Sequence, residues 1–286
     1  MKHLVDIDSL DKESINKIVT NKTEIIDNSL TGKIAALLFF EPSTRTLLSF
    51  QTAIYKLGMN PLVLNISNSS KKKGESELDT VKTIMQYADI IIIRHPDDNF
   101  VKKCCEISIV PIINAGSGSS SHPTQALVDL FTIMEYHKPP FKIGFAGDLK
   151  SSRTVKSLLK LLDKIYKNII FYFVPDGNLT IEDDITNNLV NPFQCKTKIT
   201  EIIDKVDILY MTRIQKERVN SKNAKLTLKL TEDLLNRSKD DMILMHPLPR
   251  LDEIPVEIDS SPKAIYFRTV KNSVKVRMSI IKWCID

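Results

Sequence analysis

The stretch Phe39-Phe40-Glu41-Pro42-Ser43-Thr44-Arg45-Thr46 brings hydroxyls and a guanidinium together in one octapeptide. It follows an apolar run, Ile34 to Leu38, and precedes a helix-patterned segment, so it reads as a strand, a tight turn and a helix start. Ser43 is a suitable N-cap, and the amides behind it are the unpaired donors of a first helical turn, where the dipole favours an anion. A phosphate would satisfy those N–H groups, and Arg45 could fork across two of its oxygens as a lysine point charge could not. The chemistry indicated is phosphate binding, and the octapeptide reads as a phosphate cradle. An ordinary capped helix with a surface arginine would present the same octapeptide.

Polar residues recur at the ends of other strand-like runs. Arg94-His95 follow the run ending at Ile93, Asn114 to Gln125 that ending at Ile113, Asp148 to Arg153 that ending at Ala146, Arg213 that ending at Met211, and His246 that ending at Met245. In open α/β sheets ligands bind beyond the carboxyl ends of the strands, which makes this collection hard to read as solvated surface. Three of the 5 histidines, His95, His122 and His246, precede proline and are held out of helical geometry. His122 also stands before a helix starting near Thr124, whose positive end would keep the imidazole neutral and able to donate to a carbonyl oxygen. His95 reads as a histidine satisfied by backbone. Arg45 and Arg94 lie in the first half of the chain, Arg153 and Arg213 in the second. A dicarboxylate would need two such forks; surface or interdomain salt bridges are the other reading of Arg153 and Arg213. Arg218 with Glu41 reads as a pair of that kind, and Arg218 is not assigned to ligand.

The elements that must position these groups follow an α/β rhythm. Asp11-Lys12-Glu13 opens a helix with Ile15, Ile18 and Val19 on one face; the helix after the cradle carries Leu47, Leu48, Phe50, Ile54 and Leu57 and stops at Gly58. Strands are expected at Leu62 to Leu64, Ile90 to Ile93 and Val110 to Ile113, and Gly116 to Ser121 reads as a short loop. The pattern restarts at Lys142 to Asp148, followed by a helix with Val155, Leu158, Leu159 and Leu162 and by strands at Ile169 to Val174, Asp207 to Met211 and Met242 to Met245. Strands apolar on both faces and separated by helices imply parallel sheets covered on each side, hence two doubly wound α/β domains, each with a central parallel sheet flanked by helices. They join near Tyr136 to Pro140, although the helix from Thr124 to Tyr136 could itself cross between them. Gly144-Phe145-Ala146-Gly147-Asp148 lacks the third glycine and the later acid of a dinucleotide-binding turn, so nicotinamide binding is disfavoured.

Two domains of about 100–150 residues fit a chain of 286. The net charge is only +5, with no basic face interleaved with aromatics, which argues against nucleic-acid binding. Cys104, Cys105, Cys195 and Cys284 show neither metal-ligand nor disulfide-framework spacing, and the N-terminus leads into polar residues without an apolar signal core, so a reducing cytoplasm fits best. No apolar run approaches the roughly 18 residues of a membrane span.

The Ser-Thr-Arg-Thr turn, together with His122-Pro123-Thr124-Gln125-Ala126-Leu127 and His246-Pro247-Leu248-Pro249-Arg250, resembles the aspartate/ornithine carbamoyltransferase family nearly end to end, with details similar to its aspartate branch. The resemblance implies a carbamoyl-phosphate domain at 1–137, an aspartate domain at 138–268 and a last helix in 269–286, roughly Asn272 to Trp283, returning to the first domain. It implies attack of the aspartate amine on carbamoyl phosphate, the committed step towards pyrimidines, without metal or organic cofactor. By matching motif positions, Arg45, Thr46 and His122 would donate to the carbonyl oxygen. Ser43, Thr44, Arg45, Arg94, Ser69 and Lys73 would hold phosphate, Gln125 with carbonyls near Pro247-Leu248 the carbamoyl NH2, and Arg153, Arg213 and Gln215 the aspartate carboxylates, with Lys73 also reaching aspartate. Ser69 and Lys73 lie in a polar loop, Ser67 to Ser76, that would otherwise read as solvated; in the family the matching loop enters a neighbouring subunit's site, implying a homotrimer with shared active sites. Closure between domains would bring the substrates together, with carbamoyl phosphate binding first. A catalytic subunit alone is expected at this size, with separate regulatory chains left open.

Two positions depart from the family pattern: serines at Ser151-Ser152, and Asn272-Ser273 where Asn-Gly is usual before the last helix. Either could alter closure or the docking of that helix. The ornithine branch is the nearest rival, but it typically reads His-Cys-Leu-Pro and needs an acid for a side-chain amine. A non-catalytic paralogue should have lost one of the named donors, and none is missing.

Overall fold

The computed structural model describes residues 1–20, 27–64, 74–215 and 228–286. The chain divides into two compact units, one of Met1–Phe131 with Val270–Asp286 and one of Thr132–Thr269. Each division falls inside a helix, α5 (Pro123–Tyr136) and α9 (Tyr266–Ile285).

In the first unit, β1 (Ile34–Phe39), β2 (Asn60–Leu64), β3 (Ile90–His95) and β4 (Ile112–Ser117) form a parallel sheet in the order β2-β1-β3-β4. Helices α1 (Lys12–Thr20), α2 (Thr44–Lys56), α3 (Glu77–Ile84) and α4 (Phe100–Glu106) accompany it. Ile90 to Ile93 are buried throughout, as an uninterrupted apolar run must be in a sheet covered on both faces, each side chain contributing about 1.5–3 kcal/mol over exposure. In the second unit the order is β7-β6-β5-β8-β9, again all parallel, with β5 (Lys142–Gly147), β6 (Ile170–Pro175), β7 (Phe193–Cys195), β8 (Ile208–Thr212) and β9 (Ile243–Met245). Its helices are α6 (Arg153–Ile165), α7 (Asp183–Thr186) and α8 (Glu232–Asn236). Both sheets use one device to set register at the strand starts. Asp89, just before β3, accepts the Ile34 N–H at 2.7 Å, and Asp207, just before β8, accepts the Lys142 N–H at 2.6 Å.

Three local expectations need correction. The strand expected at Val110 to Ile113 runs Ile112–Ser117, so Gly116 and Ser117 are not loop. Buried Asn114 makes this possible: its amide donates to the Val5 carbonyl at 2.7 Å and to Ser117 Oγ at 3.0 Å, while its Oδ1 accepts the Gly116 N–H at 2.8 Å. Strand β7 was not foreseen; all of its residues are exposed, which removes the apolar signal. Helix α9 begins at Tyr266, so Asn272-Ser273 lie inside it rather than before it. Ser273 Oγ donates to the Val270 carbonyl at 2.6 Å, which satisfies a buried hydroxyl within the helix.

Candidate active site

Strand β1 is followed by β2 on one side, and the chain then crosses to β3 on the other, so the crevice beyond β1 and β3 is a topological switch point. The loop carrying Glu41 to Ser43 leaves β1 there, and Arg94 is the last residue but one of β3. Arg94 Nη2 meets Glu41 Oε1 at 2.8 Å and Nη1 donates to the Ala115 carbonyl at 3.4 Å, so the guanidinium is braced from the loop after β1 and from β4. Ser43 occupies the N-cap of α2 with extended backbone, φ −160° and ψ 97°, but its hydroxyl makes no capping bond. The first-turn amides of α2 are thus not capped by this side chain, which suits an anion at the helix start. Thr46 is buried beneath that turn, while Thr44 and Arg45 are exposed. Beyond β4, Ser120 donates from N–H at 3.0 Å and from Oγ at 2.5 Å to Asp98 Oδ1. Gly118, with φ +41°, is required there because a β-carbon would overlap the Asp98 carboxylate. This loop delivers buried His122 to the start of α5, with its Nδ1 3.4 Å from Thr124 Oγ1, and half-buried Gln125 follows.

The second sheet repeats the plan. Strand β5 is followed by β6 on one side and the chain later returns as β8 on the other, which makes the crevice beyond β5 and β8 the switch point. Gly147, with φ +116°, permits the close approach; a β-carbon would overlap the Thr212 carbonyl. Completely buried Asp148 then joins both lips: Oδ1 accepts the Ser151 N–H at 2.8 Å and Oδ2 the Gln215 N–H at 3.1 Å. Arg153 is the first residue of α6 and is 4% exposed, which removes the surface reading. Ser152 caps that helix by accepting the Val155 N–H at 3.4 Å, so one of the two unexpected serines has a local structural task. Half-buried Arg213 donates from Nη1 to the Ile214 carbonyl at 3.1 Å.

Two of the His-Pro turns are wired alike. His95 Nδ1 accepts the Asp97 N–H at 2.9 Å, which leaves Nε2 to donate to Glu77 at 3.0 Å; the ring stacks on Phe100 at 3.9 Å. His246 Nδ1 accepts the Leu248 N–H at 2.8 Å and Nε2 donates to Glu253 Oε1 at 2.9 Å. Burial lowers the His246 pKa by more than Glu253 raises it, so the ring is neutral as this wiring demands. Burial raises the Glu253 pKa, but the bonds from His246 and the Leu251 N–H outweigh it and hold the carboxyl below its usual range. The turn fixes Leu248 at φ +54°, an uncommon conformation for a branched residue and a form of strain often kept at functional sites.

Because the folded-state pKa of His246 lies below its unfolded value of 6.5, its contribution is complete above pH 6.5 and declines as pH falls from there towards the folded value. Glu253 acts in the same direction below its unfolded value of 4.5. The urea midpoint should therefore fall between pH 7 and pH 5, and His246→Gln should flatten that part of the profile; an equal drop in both proteins would refute the assignment.

Comparison with known proteins bears on both crevices. A family model described as the carbamoyl-P binding domain of aspartate/ornithine carbamoyltransferase matches residues 2–135, and the corresponding Asp/Orn binding domain matches 140–284. The chain belongs to the aspartate/ornithine carbamoyltransferase family. Similar relatives include the aspartate carbamoyltransferase catalytic subunits of Methanocaldococcus jannaschii, 42% identical over 100% of this chain and 98% of that one, and of Alkaliphilus oremlandii, 40% identical over 98% and 89%. Among solved structures, Trypanosoma cruzi aspartate transcarbamoylase in complex with carbamoyl phosphate and aspartate has a TM-score of 0.93 at 32% identity, covering 99% of this chain and 96% of that one. The M. jannaschii catalytic subunit has a TM-score of 0.89 at 41% identity, covering 99% and 97%.

In this carbamoyltransferase-family chain, Ser43, Thr44, Arg45, Thr46, Arg94, His122 and Gln125 belong to the first unit, and Arg153, Arg213, Gln215, Pro247 and Leu248 to the second. Ser69, Lys73 and Arg218 lie outside the described residues. Glu41, read from sequence as a partner of Arg218, is paired with Arg94. Sequence reasoning placed Asp148 among the strand-end polar groups without its bracing role, and it missed the bracing acid Glu253. Among the described residues, no group of His, Cys, Asp or Glu is placed to hold a metal ion, and no helix is long and apolar enough to cross a membrane.

Proposed function

We propose that this chain transfers the carbamoyl group of carbamoyl phosphate to the α-amine of L-aspartate, giving N-carbamoyl-L-aspartate and phosphate on the route to pyrimidines. The observation that carries the reading is the start of α2 at the first switch point, beside the braced Arg94, in a chain of this family. The amine nitrogen attacks the carbonyl carbon, a C–N bond forms, the C–O bond to phosphate breaks, and the departing phosphate takes the amine proton. Arg45, Thr46 and His122 donate to the carbonyl oxygen as charge grows there, the point at which preorganised donors accelerate the reaction most. Ser43, Thr44, Arg45 and Arg94 hold the phosphate, joined by Ser69 and Lys73 of a neighbouring subunit, and Lys73 also reaches aspartate. Gln125 and the Pro247 and Leu248 carbonyls receive the carbamoyl NH2. Arg153, Arg213 and Gln215 grip the aspartate carboxylates, and the Asp148 clamp between their loops supports that role.

The chain is further proposed to act as a cytoplasmic homotrimer. Exposed Leu48 and Tyr55 on α2 and Val63 on the edge strand β2 are apolar groups that a neighbouring subunit would cover. A carbamoyl-phosphate titration beside a turnover assay tests the function. Saturable binding with stoichiometric release of phosphate and a ureido product on adding aspartate is expected; binding without turnover would identify a silent binding protein.

A further inference from the structure

Gln125 and Asp129 are one turn apart on α5, and Gln125 Nε2 donates to Asp129 Oδ1 at 2.9 Å. Asp129 is completely buried. A carboxylate accepts hydrogen bonds and donates none, so only the NH2 end of the Gln125 amide can face it. The charge on that carboxylate is supported from α9, where Arg277 is 1% exposed and lies 5.0 Å above the Phe50 ring of α2. Burial pushes the Arg277 pKa down to about 10, and Asp129 counters that shift, which places the two charges in one buried electrostatic unit. Arg277 of α9 thus lies over the Phe50 ring of α2 and within the field of Asp129 on α5.

We infer that Asp129 is a positioning residue that fixes the polarity of the Gln125 amide, so that Gln125 presents its carbonyl oxygen and the site selects an acyl phosphate bearing an NH2 donor. The inference rests on the proposed carbamoyl-transfer reading and adds the origin of its donor selectivity. Carbamoyl phosphate offers the required N–H. Acetyl phosphate, with a methyl group in its place, cannot donate, and a site built around a hydrogen bond discriminates against a ligand that lacks the partner. An asparagine at position 129 can both donate and accept, which lets the Gln125 amide turn over and removes the preference.

The test compares the affinities of wild type and Asp129→Asn for carbamoyl phosphate, acetyl phosphate and inorganic phosphate by calorimetry. The variant should lose the preference for carbamoyl over acetyl phosphate by about tenfold, equivalent to about 1.4 kcal/mol, with phosphate affinity unchanged. Because Asp129→Asn alone leaves Arg277 without its counter-charge, the double variant Asp129→Asn/Arg277→Met, which removes both charges, should show the same loss. Adding Asp129→Asn to Gln125→Ala should change the ratio no further. An unchanged ratio in either folded variant, or an equal weakening of all three ligands, would overturn the inference. Absence of turnover in the wild type would instead refute the transfer reading, and the binding ratios would still decide the role of Asp129.

Discussion

Arg45→Ala should lower the turnover number by at least about 10²–10³, the loss typical of one oxyanion donor. Arg45 is the second residue of α2, in the first turn, where the Ser43 hydroxyl makes no capping bond and the proposed phosphate would meet the helix start. Its guanidinium is assigned two tasks, gripping the phosphate and donating to the carbonyl oxygen, so truncation removes stabilisation in the ground state and more of it in the transition state. Steady-state kinetics should therefore show a large fall in kcat together with weaker carbamoyl-phosphate binding, and an unchanged thermal midpoint because the side chain is exposed. Near-normal turnover would remove the cradle from the mechanism.

The second large effect is expected at Arg213. Charge-assisted hydrogen bonds contribute about 1.5–3 kcal/mol each, so Arg213→Ala should raise the aspartate KM by about 10–10²-fold while carbamoyl-phosphate affinity stays as it was. The segment is held independently of that side chain, since the Gln215 N–H is bound by Asp148 and β8 pairs with β5 and β9. The fold should therefore survive the change. An unaltered aspartate KM would count against the carboxylate-gripping role.

Much of this architecture is legible because parallel strands buried on both faces leave continuous apolar runs, as Ile90 to Ile93 does, and because their polar successors fall at the switch points. What was not legible depends on partners distant in sequence. The polar end of β4 is a strand because Asn114 reaches Val5 and the Asn114 N–H reaches the Leu4 carbonyl, contacts that no local pattern encodes. Strand β7 exposes all its residues and carries no apolar signal. The first turn of α9 is anchored by buried Ile265 and Tyr266, with Tyr266 joined to Asp259 and Arg250, so the helix begins before the polar pair Asn272-Ser273. Within the candidate site, the strand-end arginines could be picked out from type and position, whereas the acids that brace the loops around them could not. Asp148, Glu253 and Asp129 are buried acids whose meaning comes from the N–H groups that folding brings to them.

The most direct test offers the purified chain carbamoyl phosphate with L-aspartate or L-ornithine in parallel and records the ureido product. Formation of N-carbamoyl-L-aspartate alone is the predicted result. Formation of citrulline would contradict the assignment of Arg153, Arg213 and Gln215 to a dicarboxylate, and no product from either acceptor would contradict the transfer reaction itself.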